Sequence, residues 1–442
     1  MTRLSEFIRT NLPEIIVLAV LFADLFIKVL PAAPLFVLIV LLQFLRLDLN
    51  SNIFLCFQGL SVFAGAAFNT MGISGLGGAF LILGAVLLVY GIIKGYTELT
   101  VSCLIGFIPL LVLLLYFTVS MMLSSGGDFA GKKLAMTYKN ALASIVAFTV
   151  IFTNLKRTNT DLLGVYLILY ALYLLRLSID TNTIPGPSGL FDFAFMRTQS
   201  IEVLGWVPEV FNINYHFPGY YSLQGVGLYL FRHHKDRLIP AILFMLSSIL
   251  SFYAGARQMI IGVFVVAVIW VLASFGKKGI LLVGGLSLLI PLLYFSSSNI
   301  NELFSSTVEE GYVEGGGRGI WLLAGIQLFL DHPILGVGFG RFNWMGDYNA
   351  YPHNLFIEIL CETGIVGFIV IIGIAVLMLV YTRKYIKRYV YYLLALFIMA
   401  MASGCMYDNI IIFSLVFAAV SFIPSRQIKF MTTDESRELQ AC

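Results

Sequence analysis

The sequence predicts an all-α polytopic integral membrane protein with about 14 transmembrane helices. Of its 442 residues, 59% are hydrophobic and only 12% are charged, and the mean hydropathy is +0.92. In an ordinary soluble domain about a quarter of the residues are charged, so this composition excludes a soluble globular protein. Apolar runs of ~20 residues, the length that crosses a bilayer, recur along almost the whole chain.

Each predicted span is an apolar run bounded by polar or turn-forming residues. The runs lie near residues 13–30, 33–46, 52–69, 78–94, 101–122, 140–155, 162–176, 219–231, 238–255, 258–275, 279–296, 363–382, 389–404 and 409–424. The first has basic residues before it and no small-residue cleavage site, so we expect a retained helix. The eighth, GYYSLQGVGLYLF, is only weakly apolar. Residues 1–442 form a single predicted transmembrane domain.

The distribution of basic residues sets the predicted orientation. Cytoplasmic loops of membrane proteins carry an excess of Lys and Arg. With both termini in the cytoplasm, most of the 27 Lys and Arg residues are cytoplasmic, including those of RHHKDR (232–237) and RKYIKR (383–388). The opposite orientation would place both clusters outside. We therefore expect cytoplasmic termini.

Two long loops, residues 177–218 and 297–355, are predicted on the outer side. Loops of this length in a compact fold are usually functional, and both are rich in aromatic residues and glycine. The second contains GIWLLAGIQLFLDHP (319–333), whose apolar part is too short to span a bilayer. We expect this segment to form a short re-entrant or interfacial helix.

Three arginines on the predicted outer side are candidate phosphate-binding residues. Arg197 lies in the first loop, Arg257 opens the tenth span, and Arg318 follows three glycines in the second loop. An arginine at the end of a span is about as often a lipid anchor as a site residue. The guanidinium group is permanently charged and binds two phosphate oxygens at once, so it suits a diphosphate held without a metal.

The run YPHNLFIEILCETGIVG (351–367) places four polar side chains at the start of an apolar helix. A lone interfacial histidine is more often structural than catalytic, but histidine is well suited to general base chemistry, which makes His353 a candidate. Asn354 is a candidate to bind substrate or to bond the amides at the helix start. Glu358 and Glu362 share its helix face, where they are predicted to support the loop or to act electrostatically on the arginines.

The sequence lacks the patterns typical of metal, nucleotide or other cofactor sites. No external Asp-x-Asp pair or His/Glu cluster has metal-ligand spacing, so no metal is predicted. The sequence has no Walker A pattern, its five cysteines have no CxxC spacing, and no cofactor is indicated. The net charge of +3 is spread through loops, and no nucleic-acid partner is predicted.

Motifs in and before the second loop resemble the signature region of the O-antigen polymerase and O-antigen ligase superfamily. GGGRGIWLLAGIQLFLDHPILGVGFGRF (315–342) has an arginine before a short helix and an HP-hydrophobic-G-x-G turn. An HN-x-x-x-E-x-x-x-E-x-G-x-x-G run follows at residues 353–367. Upstream, GARQMIIG (255–262) is similar to the family's arginine at the outer end of an earlier span.

The resemblance implies a GT-C-like glycosyltransferase bundle of the bacterial inner membrane, with a periplasmic active site, in lipopolysaccharide biosynthesis. The implied reaction is metal-independent, inverting transfer of a glycan from undecaprenyl diphosphate. Arg257 and Arg318 would bind the diphosphate and stabilise the charge that develops on the leaving group. Arg197, which does not align with the family's motifs, is a weaker candidate. His353 would be the base. The implied partners are lipid-linked donor and acceptor oligosaccharides, membrane lipid and a chain-length regulator protein.

Three functions remain open at this point. A polymerase joins lipid-linked repeat units into polymer, whereas a ligase transfers finished polymer to the lipid A core. The predicted span number and the two long loops favour a polymerase, since ligases of the family more often have fewer spans. A lipid-linked glycan flippase or transporter has the same composition, but its ionisable groups should lie near mid-membrane and its halves should show repeat symmetry.

Overall fold

A computed structural model describes residues 2–27, 32–60, 62–63, 76–124, 128–180, 217–233, 236–253, 257–280, 318–342, 351–402 and 406–423. Its helices are α1 Thr2–Thr10, α2 Leu12–Ile27, α3 Ala32–Arg46, α4 Leu49–Leu55, α5 Leu76–Ile93, α6 Val101–Leu123, α7 Asp128–Thr153, α8 Thr160–Asp180, α9 Phe217–His233, α10 Leu238–Tyr253, α11 Arg257–Phe275, α12 Arg318–Asp331, α13 Leu355–Thr382, α14 Ile386–Ala402 and α15 Met406–Ala418. A π turn, Cys56–Leu60, continues α4, and 3₁₀ turns follow α13 and α15.

The all-helical prediction is confirmed in the residues that the structure describes. Four helical stretches there are long and apolar enough to cross a membrane, namely Val101–Leu123, Phe129–Thr153, Thr160–Leu177 and Leu355–Met401. Shorter apolar helices coincide with several other predicted spans, so the fold is compatible with a polytopic membrane protein. The number of fourteen spans stays a prediction. Most of the 177–218 loop and of the eleventh predicted span lies outside the described residues.

Helices α8 and α9 form the centre of the bundle. The apolar window of α8 is 94% buried, and residues 218–231 of α9 are all buried. The two helices touch through glycines: a Cβ atom added to Gly164 would lie 2.4 Å from the carbonyl oxygen of Gly225. Small residues allow such backbone contact between helices in a membrane.

Buried polar contacts connect these central helices to their neighbours. Ser222 and Ser247 share a 2.7 Å hydrogen bond between α9 and α10, and Tyr392 of α14 donates to Gln224. These contacts explain the weak hydropathy of the eighth predicted span, because its side chains meet protein on every side rather than lipid.

His233 forms an ion pair at the end of α9, and this pair predicts a pH dependence of stability. Its Nε2 lies 2.6 Å from the Asp161 carboxylate, and Asp236 lies 3.5 Å from its Nδ1. The hydrogen bond to Asp161 raises the pKa of His233. The stability that this ion pair contributes is therefore complete below the ordinary histidine pKa of about 6.5. It is lost as pH rises through the raised pKa of His233.

The expected contribution of this pair is about 1 kcal/mol or less, because the partly exposed side chains are screened by solvent. Thermal unfolding of the wild type and of His233→Gln should differ at pH 6 and converge by pH 9. A difference that grows with pH would contradict the assignment.

Candidate active site around the start of α13

Helices α12 and α13 pack side by side and bring two predicted site residues to the same end of the pair. A Cβ atom on Gly325 would lie 2.7 Å from Ile357 and 3.3 Å from Pro352, so this glycine permits the close contact. Arg318 is the first residue of α12, seven residues before Gly325, which is about 10 Å along the helix. Its backbone therefore lies toward the end of α13 that carries His353.

The positions of the other predicted arginines are less fully described. Arg257 is the first residue of α11, so it lies at a helix start as predicted. The side chains of Arg257 and Arg318, and the whole of Arg197, lie outside the described residues. Their roles in binding a diphosphate stay predictions.

The start of α13 is fixed by a local cap. The side-chain oxygen of Asn354 accepts hydrogen bonds from the backbone N–H groups of Phe356 and Ile357, at 3.1 and 3.2 Å. This is the helix-capping role that the sequence allowed, and it satisfies amides that have no partner within the helix.

His353 precedes this cap in an unusual backbone conformation. Its φ is 55°, the one positive value among the described residues other than glycine. The imidazole is half-buried, and its centroid lies 4.3 Å from the Tyr351 ring. Such a conformation costs of order 1–3 kcal/mol and persists only where the surroundings impose it, often at functional sites.

Eleven residues after His353, α13 contains a break at Gly364, where φ is 63° and ψ is −170°. The glycine turn, which we define as residues 332–342, fills this break. Four backbone hydrogen bonds join the two: Val337 donates to Cys361, Gly338 to Glu362, Ile365 to Pro333, and Val366 to Ile334, at 2.8–3.2 Å. The turn thus satisfies backbone groups that the break removes from the helical ladder.

Glycine is required on both sides of this junction. A Cβ atom on Gly364 would lie 2.3 Å from the carbonyl oxygen of Ile334, and one on Gly336 would lie 2.5 Å from the backbone of Glu362. Both residues also have positive φ, which glycine adopts without strain. Gly364 therefore packs against the glycine turn. Gly367 approaches α6, since its Cβ atom would lie 2.6 Å from the Tyr116 hydroxyl.

A buried lysine joins the two glutamates of α13. Lys133, in the second turn of α7, lies 2.6 Å from Glu358 and 2.7 Å from Glu362, and all three side chains are buried. Its ammonium group also lies 5.1 Å from the ring centroid of Phe339 in the glycine turn. We call these three charged residues the Lys133 cluster. The cluster ties α7, α13 and the glycine turn together.

Lys133 was not among the site residues predicted from the sequence, although the sequence contains a pattern that indicates its burial. Lys133, Thr137, Ala141 and Ser144 are all buried and follow one another at helical spacing. That stripe of small and polar residues indicates the buried face of α7 and includes Lys133. Glu358 and Glu362 were predicted to support the loop or act on arginines, and their ion-pair partner among the described residues is Lys133.

A comparison with known proteins found a match to the region that contains the glycine turn and the break in α13. Residues 242–372 match the family model for O-antigen ligase. The match supports the resemblance of the sequence to the O-antigen polymerase and ligase superfamily, over less than a third of the chain. No curated protein matches the chain.

The matched region begins within α10 and ends within α13. It includes Arg257, Arg318, the glycine turn and His353, whereas Arg197 precedes it. Lys133 also lies outside the matched domain, 225 residues before Glu358 in sequence. An earlier part of the chain therefore supplies the cation that pairs with the two glutamates of the matched region.

Proposed function

We propose that the protein is an O-antigen polymerase, which joins undecaprenyl-diphosphate-linked oligosaccharide repeat units into polymer on the periplasmic face of the inner membrane. The observation that carries the proposal is the O-antigen ligase family match, within which Arg318 and His353 lie toward the same end of the α12–α13 pair. The number of predicted spans and the two long loops favour polymerase over ligase.

The proposed reaction is an inverting displacement without a metal. His353 accepts the proton of an acceptor sugar hydroxyl, and the hydroxyl oxygen attacks the anomeric carbon of the donor glycan. The bond from that carbon to the diphosphate breaks, and undecaprenyl diphosphate leaves with the electron pair. Arg257 and Arg318 bind the diphosphate and stabilise the charge that develops on it, with Arg197 as a further candidate.

We further propose a GT-C-like bundle of about 14 spans with cytoplasmic termini. In this arrangement α12 is an interfacial helix. Ile320, Leu323 and Leu330 are exposed on one face of α12, and Ile334 and Leu335 continue the exposed apolar surface into the glycine turn. An apolar face of this kind suits a helix that lies in the membrane surface.

Substitution of the proposed base tests the function. Purified protein in lipid nanodiscs should lengthen lipid-linked repeat units without metal or nucleotide. His353→Ala and Arg318→Ala are each expected to reduce chain growth by about 10²-fold or more, as loss of a general base or an oxyanion-stabilising group does. His332→Ala, which alters an exposed histidine of the same domain, is the matched control and should retain chain growth.

Two other outcomes would change the proposed mechanism or the proposed function. Normal polymer from His353→Ala would remove the base assignment, and translocation of lipid-linked units without a new glycosidic bond would indicate a flippase. The description of the matched family favours a ligase as the second candidate. Lipopolysaccharide from a deletion strain distinguishes the two, because loss of a polymerase leaves a single repeat on the core, whereas loss of a ligase leaves polymer on undecaprenyl diphosphate.

A further inference from the structure

The charges of the Lys133 cluster do not balance. Lys133 supplies one positive charge, whereas Glu358 and Glu362 in their ordinary ionised states supply two negative charges. The side chains of Lys133 and Glu358 have no solvent exposure, and that of Glu362 is 1% exposed. Full ionisation would therefore leave one negative charge uncompensated and away from water, at a large cost in free energy.

Each glutamate also has one carboxylate oxygen without a partner. The Oε1 atoms of Glu358 and Glu362 accept hydrogen bonds from the Lys133 ammonium group at 2.6 and 2.7 Å. The Oε2 atoms of both are buried, and neither has a hydrogen-bond partner in the part of the chain that the structure describes. Buried polar atoms are almost always hydrogen-bonded. Two such oxygens on neighbouring carboxylates indicate that a donor between them is required.

The neighbouring cations do not supply the missing charge. Among the described residues, both glutamates form their ion pairs with Lys133. Neither Arg341 of the glycine turn nor His353 before the helix start lies within ion-pair distance of either carboxylate. The other charged or titratable groups of this kind on the elements packed around the cluster are exposed, namely Lys132, Lys139, Asp331, His332 and Asp408.

The neighbouring neutral donors bond to other atoms. The Cys361 thiol donates to the main-chain oxygen of Glu358, and the Tyr116 hydroxyl donates to that of Thr363. The Tyr138 hydroxyl shares a hydrogen bond with Thr118. The two Oε2 atoms therefore have to obtain their donor from within the cluster itself.

We propose that the Lys133 cluster holds one proton, which Glu362 carries and donates to Glu358. The cluster then has no net charge, and one strong O–H···O⁻ hydrogen bond joins the two oxygens that otherwise lack partners. Glu358 keeps the negative charge because it lies in the first turn of α13, where backbone N–H groups favour an anion. The proposal concerns the protonation of this junction and does not depend on the proposed function.

The bound proton makes the junction between α7, α13 and the glycine turn sensitive to pH. In the unfolded chain a glutamate is ionised above about pH 4.3, so at neutral pH the folded protein holds one proton more than the unfolded chain. The stability of the fold then decreases as pH rises, by up to about tenfold in the unfolding equilibrium constant for each pH unit. Phe339 of the glycine turn packs over the Lys133 ammonium group, so alkaline pH should loosen the turn from α13.

Infrared spectroscopy detects the proton directly, because a protonated carboxyl group has a carbonyl band that a carboxylate lacks. The full-length wild type in lipid nanodiscs should show such a band at pH 7. Glu362→Gln and Glu358→Gln should each remove it, since the one remaining carboxyl group ionises to pair with Lys133. Glu6→Gln changes an exposed glutamate of α1, and this matched control should keep the band.

Equilibrium unfolding in mixed micelles gives a second readout. Between pH 6 and pH 8 the unfolding equilibrium constant should rise by up to about a hundredfold more in the wild type than in Glu362→Gln. The ion pair of His233 is present in both proteins, so its contribution cancels in this comparison. The double variant Glu358→Gln, Glu362→Gln should unfold at a lower temperature than either single variant, because it leaves Lys133 buried without a carboxylate.

Two results would overturn the proposal. One is a wild-type spectrum from which neither Glu358→Gln nor Glu362→Gln removes a protonated-carboxyl band. The other is an equal pH dependence of unfolding in the wild type and in Glu362→Gln. If Glu358→Gln does not fold, Glu362→Gln alone decides the question, since an amide there replaces a carboxyl group that is already uncharged.

Discussion

Replacement of Lys133 by Met is expected to destabilise the protein by about 3–5 kcal/mol, the usual cost of removing one partner from a buried ion pair. Glu358 and Glu362 would then face each other in a buried site without a cation. Their repulsion would act on α13 directly after the helix start that carries His353. Thermal unfolding in nanodiscs should show the loss of stability, and chain growth should fall with it.

Lys132→Met is the matched control, because it removes an exposed ammonium group from the adjacent position. Its unfolding temperature should stay close to that of the wild type. The triple variant Lys133→Met, Glu358→Gln, Glu362→Gln should recover part of the lost stability, since it leaves no buried charge uncompensated. An unchanged unfolding temperature for Lys133→Met alone would show that the cluster does not hold these helices together.

Replacement of Gly364 by Ala is expected to cost about 3 kcal/mol or more. A left-handed conformation costs an alanine roughly 1–2 kcal/mol, and each backbone hydrogen bond lost adds about 1 kcal/mol. The new Cβ atom would overlap the carbonyl oxygen of Ile334 at 2.3 Å, so the glycine turn would have to move away from α13. The four backbone hydrogen bonds that join the glycine turn to α13 would then weaken together.

Gly373→Ala offers a control within the same helix. A Cβ atom there meets nothing within 4 Å, so this change should be neutral or stabilise the helix by up to about 1 kcal/mol. Hydrogen exchange of the Ile365 and Val366 amides would report the junction directly. Equal protection of these amides in Gly364→Ala and in the wild type would contradict the proposed role of the break.

Local features of the site could be predicted from the sequence, because neighbouring residues determine them. Hydropathy located most helices, and Asn354 was a candidate cap from its position alone. The capping bonds involve residues only two and three positions away. Such interactions need no knowledge of how distant segments pack.

Long-range features could not be predicted in the same way. The partner of Glu358 lies 225 residues earlier, and the spacing that places Lys133 on the buried face of its helix does not show which residue it pairs with. From the sequence alone, Gly364 is a small residue of the kind that packs closely between helices. Only the position of the glycine turn shows that the helix is broken there. Hydropathy also gave only a weak signal for α9 as a span, because hydropathy measures affinity for lipid and α9 contacts protein.

The burial of α9 also bears on how the protein is made. A helix enters the bilayer unaided when its side chains prefer lipid to water, and α9 has polar and small residues where other spans have leucine. α8 is synthesised first and presents Gly164 as a docking surface for α9. A chain in which α9 failed to insert would reverse the predicted orientation of every later span. His353 would then emerge on the opposite side of the membrane from the proposed lipid-linked substrate.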